Sequence, residues 1–130
     1  MIESPWILGI SASHNGAVCL LKGDEIVVAV QEERLTRFKR HRINGSDSSQ
    51  AITYCLNYAG IEPRDLSLIV LCIQGRANES KHSVELNPVL KETLRQTPVI
   101  VIPHHLGHAV SAFATSGFED SAILVIDGAG

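Results

Sequence analysis

A single α/β domain built on a mixed sheet is the fold class this sequence predicts, and three observations lead to it. Turn signals join the first three apolar segments closely, strand and helix patterns alternate after them, and the later strands read as continuous apolar runs. A meander joined to strand-helix alternation requires antiparallel and parallel neighbours in one sheet, because parallel neighbours need crossover connections. Helices then cover the faces. The length of 130 residues suits one domain with its own core.

Residues 6–12, 17–22 and 26–31 are short, apolar and bounded by turn residues, which predicts three strands. Asn15-Gly16 is the pair that a two-residue hairpin turn with positive φ demands, and Gly23-Asp24 offers a second such turn. His14 then sits at the tip of the first hairpin. From 47 to 59 the apolar positions Ala51, Ile52, Cys55, Leu56 and Ala59 recur at helical spacing, with Asp47 and Gln50 as a capping box and Gly60 as the stop. Leu66 to Ile73 is the continuous run of a strand buried on both faces, and Asn87-Pro88 opens a short helix to about Gln96. Val99 to Ile102 is a further buried strand. A helix from about 105 to 117, closed by Gly117, and a last strand from Ala122 to Asp127 complete the order.

Apolar residues at 45% and charged residues at 19% describe a soluble globular protein, and a net charge of −3 argues against general nucleic-acid binding. Low-complexity segments and repeats are absent. Met1-Ile2-Glu3-Ser4-Pro5 lacks the basic region of a secretory signal, and no apolar run approaches a membrane span, so no membrane partner and a cytoplasmic location are expected. Cys19, Cys55 and Cys72 are odd in number and embedded in apolar segments, the pattern of buried free thiols.

The densest chemistry lies in His104-His105-Leu106-Gly107-His108, followed nineteen residues later by Asp127. On a helix His104 and His108 share a face one turn apart, so two imidazoles and a carboxylate from a neighbouring strand end suit one divalent cation. His105, rotated about 100° from His104, points elsewhere. The plainer alternative is a helix started by Pro103 whose first turn merely carries histidines; three of the chain's six histidines within five residues favour the metal. Arg34, Arg37, Lys39, Arg40 and Arg42, beside Glu32 and Glu33, read as a solvated charged loop, and His41 and His82 as surface residues. Asp127-Gly128-Ala129-Gly130 would let backbone N–H groups approach a phosphate, although Asp-Gly alone reads as an ordinary turn.

The element order resembles one half of the actin-like, sugar-kinase and Hsp70 ATPase (ASKHA) architecture, whose two ribonuclease-H-like halves enclose a nucleotide. That resemblance makes residues 1–118 a first half and residues 119–130 the opening strand and phosphate loop of a truncated second half. Four motifs narrow it: Gly9-Ile-Ser-Ala-Ser-His-Asn-Gly-Ala17, Gln31-Glu-Glu-Arg-Leu-Thr-Arg37, His104-His-Leu-Gly-His-Ala-Val-Ser-Ala-Phe113 and Val125-Ile-Asp-Gly-Ala-Gly130. In this order they resemble the N-terminal part of the NodU/CmcH (TobZ-like) family of O-carbamoyltransferases.

The family resemblance implies an enzyme that makes carbamoyl-adenylate from carbamoyl phosphate and ATP and passes the carbamoyl group to a hydroxyl of a sugar or related natural product. It implies that His104, His108 and Asp127 ligate an Fe²⁺-like cation, with Mg²⁺, Mn²⁺ or Zn²⁺ as alternatives, and that a further aspartate ligand lies beyond this sequence. His14 would serve carbamoyl transfer as a general base. Ser13, Asn15, Gly128, Ala129 and Gly130 would contact nucleotide or phosphate, and Arg34 and Arg37 the acyl phosphate or adenylate. Many relatives carry aspartate where this chain has Asn15, which removes a carboxylate that could orient the imidazole. The implied partners are a nucleotide, a small hydroxyl acceptor and the missing C-terminal portion, without which the 130 residues should be inactive. Two rivals are an actin-like sugar kinase or ATPase, which needs an aspartate in the first hairpin that residues 7–16 lack, and a non-catalytic truncated binding or assembly module.

Overall fold

The computed structural model describes residues 3–43, 48–74, 88–92 and 96–128. Strands β1 (Trp6–Ser11), β2 (Ala17–Lys22) and β3 (Glu25–Gln31) form the expected antiparallel meander, and β4 (Leu66–Ile73) and β5 (Val99–Pro103) add parallel to β1, in the order β3-β2-β1-β4-β5. The mixed sheet is therefore the one the sequence predicts. Alternation along the strands sends Leu8, Ile10, Val18, Leu20, Ile69 and Leu71 to one face. There helix α2 (Gln50–Ala59) covers them with Ala51, Ile52, Cys55 and Leu56. Fully burying each large apolar side chain contributes roughly 1.5–3 kcal/mol, so this face carries the stability of the domain. Burial also raises the thiol pKa of all three cysteines, that of Cys55 to about 11 with a further push from the neighbouring Cys19.

The two hairpins differ. Lys22 pairs with Glu25, leaving the two-residue turn expected at Gly23-Asp24, with Gly23 at φ 63°. In the first hairpin Ser11 pairs with Ala17, so residues 12–16 form a five-residue loop, and neither Asn15 nor Gly16 adopts positive φ. Gly16 is needed for closeness instead. Its N–H donates to the His41 carbonyl at 2.9 Å, its carbonyl accepts from Glu32 N–H at 2.8 Å, and a Cβ would lie 2.7 Å from the His41 oxygen.

Helix α2 starts at Gln50 with Ser49 as its cap, the Ser49 hydroxyl accepting from Ile52 N–H at 3.1 Å; Asp47 lies outside the described residues. A second group serves the same helix end. Glu32 is only 2% exposed and its carboxylate accepts from Ser49 Oγ (2.6 Å), Gln50 N–H (2.7 Å) and Ala51 N–H (3.1 Å). A carboxylate at a helix N-terminus satisfies free amides and complements the helix dipole. Glu32 also opens a short helix, α1 (Glu32–Thr36), within the stretch expected to be a charged loop.

Three further expectations change. Val70 and Cys72 on the second face of β4 are only half-buried, so the apolar runs are not buried on both faces. Pro88 to Glu92 form turns in place of the expected helix from 87 to 96, of which Asn87 and residues 93–95 lie outside the described residues. Residues 121–127 join no ladder, and the expected last strand is absent because β5 pairs only with β4 and the tail runs along helix α3 (His104–Ser116). Gly60 and Gly117 do end their helices, at φ 66° and 76°. Among the described residues no helix is long and apolar enough to cross a membrane.

Candidate metal centre

The strand directions place all the candidate chemistry on one edge of the sheet. β1, β4 and β5 run parallel and β3 shares their direction through the antiparallel β2, so the loops after Ser11, Gln31, Ile73 and Pro103 emerge together. Such an edge is where open α/β sheets bind ligands. Crossing the sheet from β3 to β5, it carries the basic loop, His14, Gln74 and the His104 helix end.

Helix α3 begins at His104, the residue after β5, and stands close to β4. A Cβ on Gly107 would lie 2.6 Å from Cys72 Sγ, so a glycine in the middle of the histidine motif lets the helix approach. His104 and His108 then meet edge to face one turn apart, with ring centroids 4.4 Å apart and planes at 83°. Residues 123–126 run back beside His108, Ser111, Ala112 and Thr115, which brings Asp127 to the start of the helix. A cleft of about 510 Å³ adjoins the histidines, floored by small residues of the second sheet face including Gly9, Ala17, Cys19 and Ala29.

Three ligand atoms converge. His104 Nε2 lies 2.7 Å from Asp127 Oδ2 and 3.0 Å from His108 Nε2, and His108 Nε2 lies 3.4 Å from the same carboxylate oxygen. A circle through these atoms has a radius of about 1.8 Å, so a point about 2.1 Å from all three exists without any side-chain movement, at the ligand distances of a divalent ion. Two imidazole nitrogens and a carboxylate oxygen are the donor types such an ion takes, and one shared proton cannot bond three atoms equally. The residues therefore fit a metal. The side chains of His104 and Asp127 are 13% and 25% exposed and that of His108 is 54% exposed, leaving one side open for further ligands. His105 stays outside the cluster, its ring centroid 6.0 Å from that of His104.

The other predicted site residues are spread along the edge. His14 Nδ1 lies 3.1 Å from Gln74 Oε1, in the loop between β1 and β2, and Ser13 is buried with its hydroxyl 3.3 Å from Ser11 Oγ. Asn15, Arg34, Arg37 and Gly128 are exposed, Arg37 with φ 62°, while Ala129 and Gly130 lie outside the described residues, as does His82. His41 is half-buried, its Nδ1 2.8 Å from Thr36 Oγ1, so it is not a plain surface residue. The sequence reading missed Gln74, Glu32 and Gly107. Gln74 had a usable signal: it is the first polar residue after β4, at the edge where β1 delivers His14.

Residues 6–95 match the carbamoyltransferase N-terminus family. The chain belongs to that family. It is 34% identical over 137 residues to nodulation protein NolNO of Sinorhizobium fredii, covering 90% of this chain and 20% of the relative. Protein sll1178 of Synechocystis is 35% identical over 159 residues, covering 95% of this chain and 25% of the relative. Nodulation protein U of Bradyrhizobium diazoefficiens is 24% identical, with 26% of its length covered. The chain thus spans about a fifth to a quarter of these relatives. Among solved structures, YeaZ from Pseudomonas aeruginosa superposes with a TM-score of 0.57 at 17% identity, over 87% of this chain and 50% of that one. That likeness establishes the actin-like fold for this carbamoyltransferase N-terminal region.

Proposed function

We infer that this chain is the metal- and acceptor-side portion of a TobZ-like O-carbamoyltransferase acting in the cytoplasm. The complete enzyme would convert carbamoyl phosphate and ATP to carbamoyl-adenylate and carbamoylate a hydroxyl of a sugar or natural product. The observation that carries this reading is the convergence of His104 Nε2, His108 Nε2 and Asp127 Oδ2 on the sheet edge that also bears His14. His104, His108 and Asp127 would hold a divalent, Fe²⁺-like cation, which when bound supplies positive charge beside the adenylate phosphate. The amide of Gly128 belongs to the adjoining phosphate loop on this reading.

His14 takes the acceptor proton. With Nδ1–H donating to Gln74 Oε1, the lone pair lies on Nε2, the arrangement a general base requires, and Gln74 supplies the orientation that the absent carboxylate at Asn15 cannot. The bond from acceptor oxygen to carbamoyl carbon forms, the bond from that carbon to the adenylate oxygen breaks, AMP leaves, and the proton passes to His14. A sugar kinase is disfavoured because the loop of residues 12–16 carries no carboxylate.

The test uses a full-length family protein bearing this N-terminal sequence, supplied with labelled carbamoyl phosphate, ATP and an amino-sugar acceptor. Label should reach the acceptor with release of inorganic phosphate and pyrophosphate as the adenylate forms and of AMP on transfer, and His14→Ala should lower the transfer step by about 10²-fold or more while leaving adenylate formation. Transfer of the terminal ATP phosphate to the acceptor would instead establish a kinase. The 130 residues alone should show no turnover.

A further inference from the structure

The three ligands of the candidate centre are held in two different ways. His104 and His108 are placed by the sheet: α3 follows β5 without a connecting residue, and Gly107 lets it stand against Cys72 Sγ. Asp127 arrives on residues 118–128, which leave α3 at Gly117 and belong to no strand or helix. Every residue of this segment except Val125 is exposed, Phe118 at 67%, Leu124 at 82% and Ile126 at 84%, so packing does not fix its course. Residues 123–126 and the helix residues His108, Ser111, Ala112 and Thr115 line a cleft of about 440 Å³. The helix directs little at the segment across it, because the hydroxyls of Ser111 and Thr115 donate to the carbonyls of His108 and Ser111, at 3.1 and 2.8 Å. Among the described residues the polar contacts of residues 119–128 are those of Asp127, whose Oδ2 lies 2.7 Å from His104 Nε2 and 3.4 Å from His108 Nε2.

A segment so placed gains little by docking on its own. Fixing its backbone costs conformational entropy, its exposed apolar side chains contribute little hydrophobic stabilisation, and one carboxylate beside imidazoles at a partly open site is a weak tie. A divalent ion changes that balance, because two of its ligands are already set at the start of α3 and the free energy of binding includes that of ordering the third. The arrangement described above, with the three ligand atoms converged, is the docked one. We propose that the ion is the clasp of this segment: residues 118–128 lie along α3 when His104, His108 and Asp127 share a cation and leave it when they do not. This rests on the metal reading of those three residues and adds that the ion, more than packing, decides where the chain beyond Gly117 runs. Gly128 is fixed with Asp127, so the phosphate loop proposed to begin there takes its place only in the metal-loaded chain, and the cation binds before the anion.

The test follows backbone amide order parameters of the 130-residue chain before and after saturation with Zn²⁺, with binding measured by calorimetry on the same sample. Residues 119–126 should lie below about 0.6 in the metal-free chain and rise to about 0.85 with Zn²⁺, while residues 106–114 stay at about 0.85 throughout. Ser121→Gly combined with Ala122→Gly touches no ligand but gives the free segment more conformations to lose, so Zn²⁺ should bind at least about threefold more weakly. A segment already rigid without metal, or an affinity unchanged by the two glycines, would overturn the clasp and leave the three ligands standing. Zn²⁺ binding with residues 119–126 still mobile would overturn it and also remove Asp127 from the ligand set. Failure of Zn²⁺ to bind at all would overturn both the clasp and the metal reading beneath it.

Discussion

Under α2 the sheet is closed, with Leu8, Leu20, Ile52, Ile69 and Leu71 fully buried, whereas α3 has no buried residue and Leu124 and Ile126 in the following tail are 82% and 84% exposed. The metal cluster stands on the second of these regions. Stability and chemistry are thus divided: one face supplies the apolar burial that holds the strands in order, and the other inherits positions from them. His104 follows β5 directly, and Gly107 keeps the helix against Cys72. Asp127 arrives on a chain segment with little burial of its own, so the ligand set is completed by a sparsely packed segment.

The largest contrast should appear on truncating one apolar side chain in each region. Leu71→Ala should cost roughly 2–5 kcal/mol of unfolding free energy in denaturant titrations, and Leu124→Ala no more than about 0.5 kcal/mol. Similar losses would erase the division. Glu32→Ala should follow at about 2–3 kcal/mol, because Ser49 Oγ and two amides at the start of α2 lose their acceptor, while Glu33→Ala should cost less than about 1 kcal/mol.

Gly107→Ala sharpens the comparison from the other side, since the new methyl meets Cys72 Sγ. We expect global stability to change little and metal affinity to fall about threefold to tenfold, with recovery when Cys72→Ala removes the sulfur. Affinity unchanged by Gly107→Ala would mean that helix approach does not set the ligand geometry.

The smallest effect is alkaline. The Cys55 thiol pKa is raised in the folded state to about 11, mainly by burial, so its contribution to stability is complete below the ordinary thiol pKa and is lost as pH rises towards about 11. The denaturation midpoint should fall over that window, and Cys55→Ala should flatten the fall. A slope indifferent to that substitution would assign the alkaline loss to other groups.

The sheet, the α2 and α3 helices and the histidine-aspartate set were legible because each rests on a local signal: period, stop glycine, or ligand spacing. What was not legible depends on contacts distant in sequence. Glu32 and Glu33 look equivalent as neighbours in a charged run, yet the fold buries one beneath α2 seventeen residues on and leaves the other to Arg40. Gly16 reads as a turn residue, but its constraint is the His41 carbonyl. The segment from 122 to 127 has the composition of a strand; composition does not provide a neighbour, and it lies along α3 instead. His14 was placed at a hairpin tip, whereas its partner Gln74 emerges only once β4 is laid beside β1.

Calorimetric titration of the protein with Zn²⁺ or Mn²⁺ tests the proposed metal centre most directly. One ion should bind per chain, and acidification should weaken binding, because protons compete with a metal for imidazole ligands. His108→Ala and Asp127→Asn should abolish binding and His105→Ala should leave it nearly intact, all three with unchanged folding. Equal losses in His105→Ala and His108→Ala, or binding indifferent to Asp127→Asn, would contradict the assignment of these three ligands.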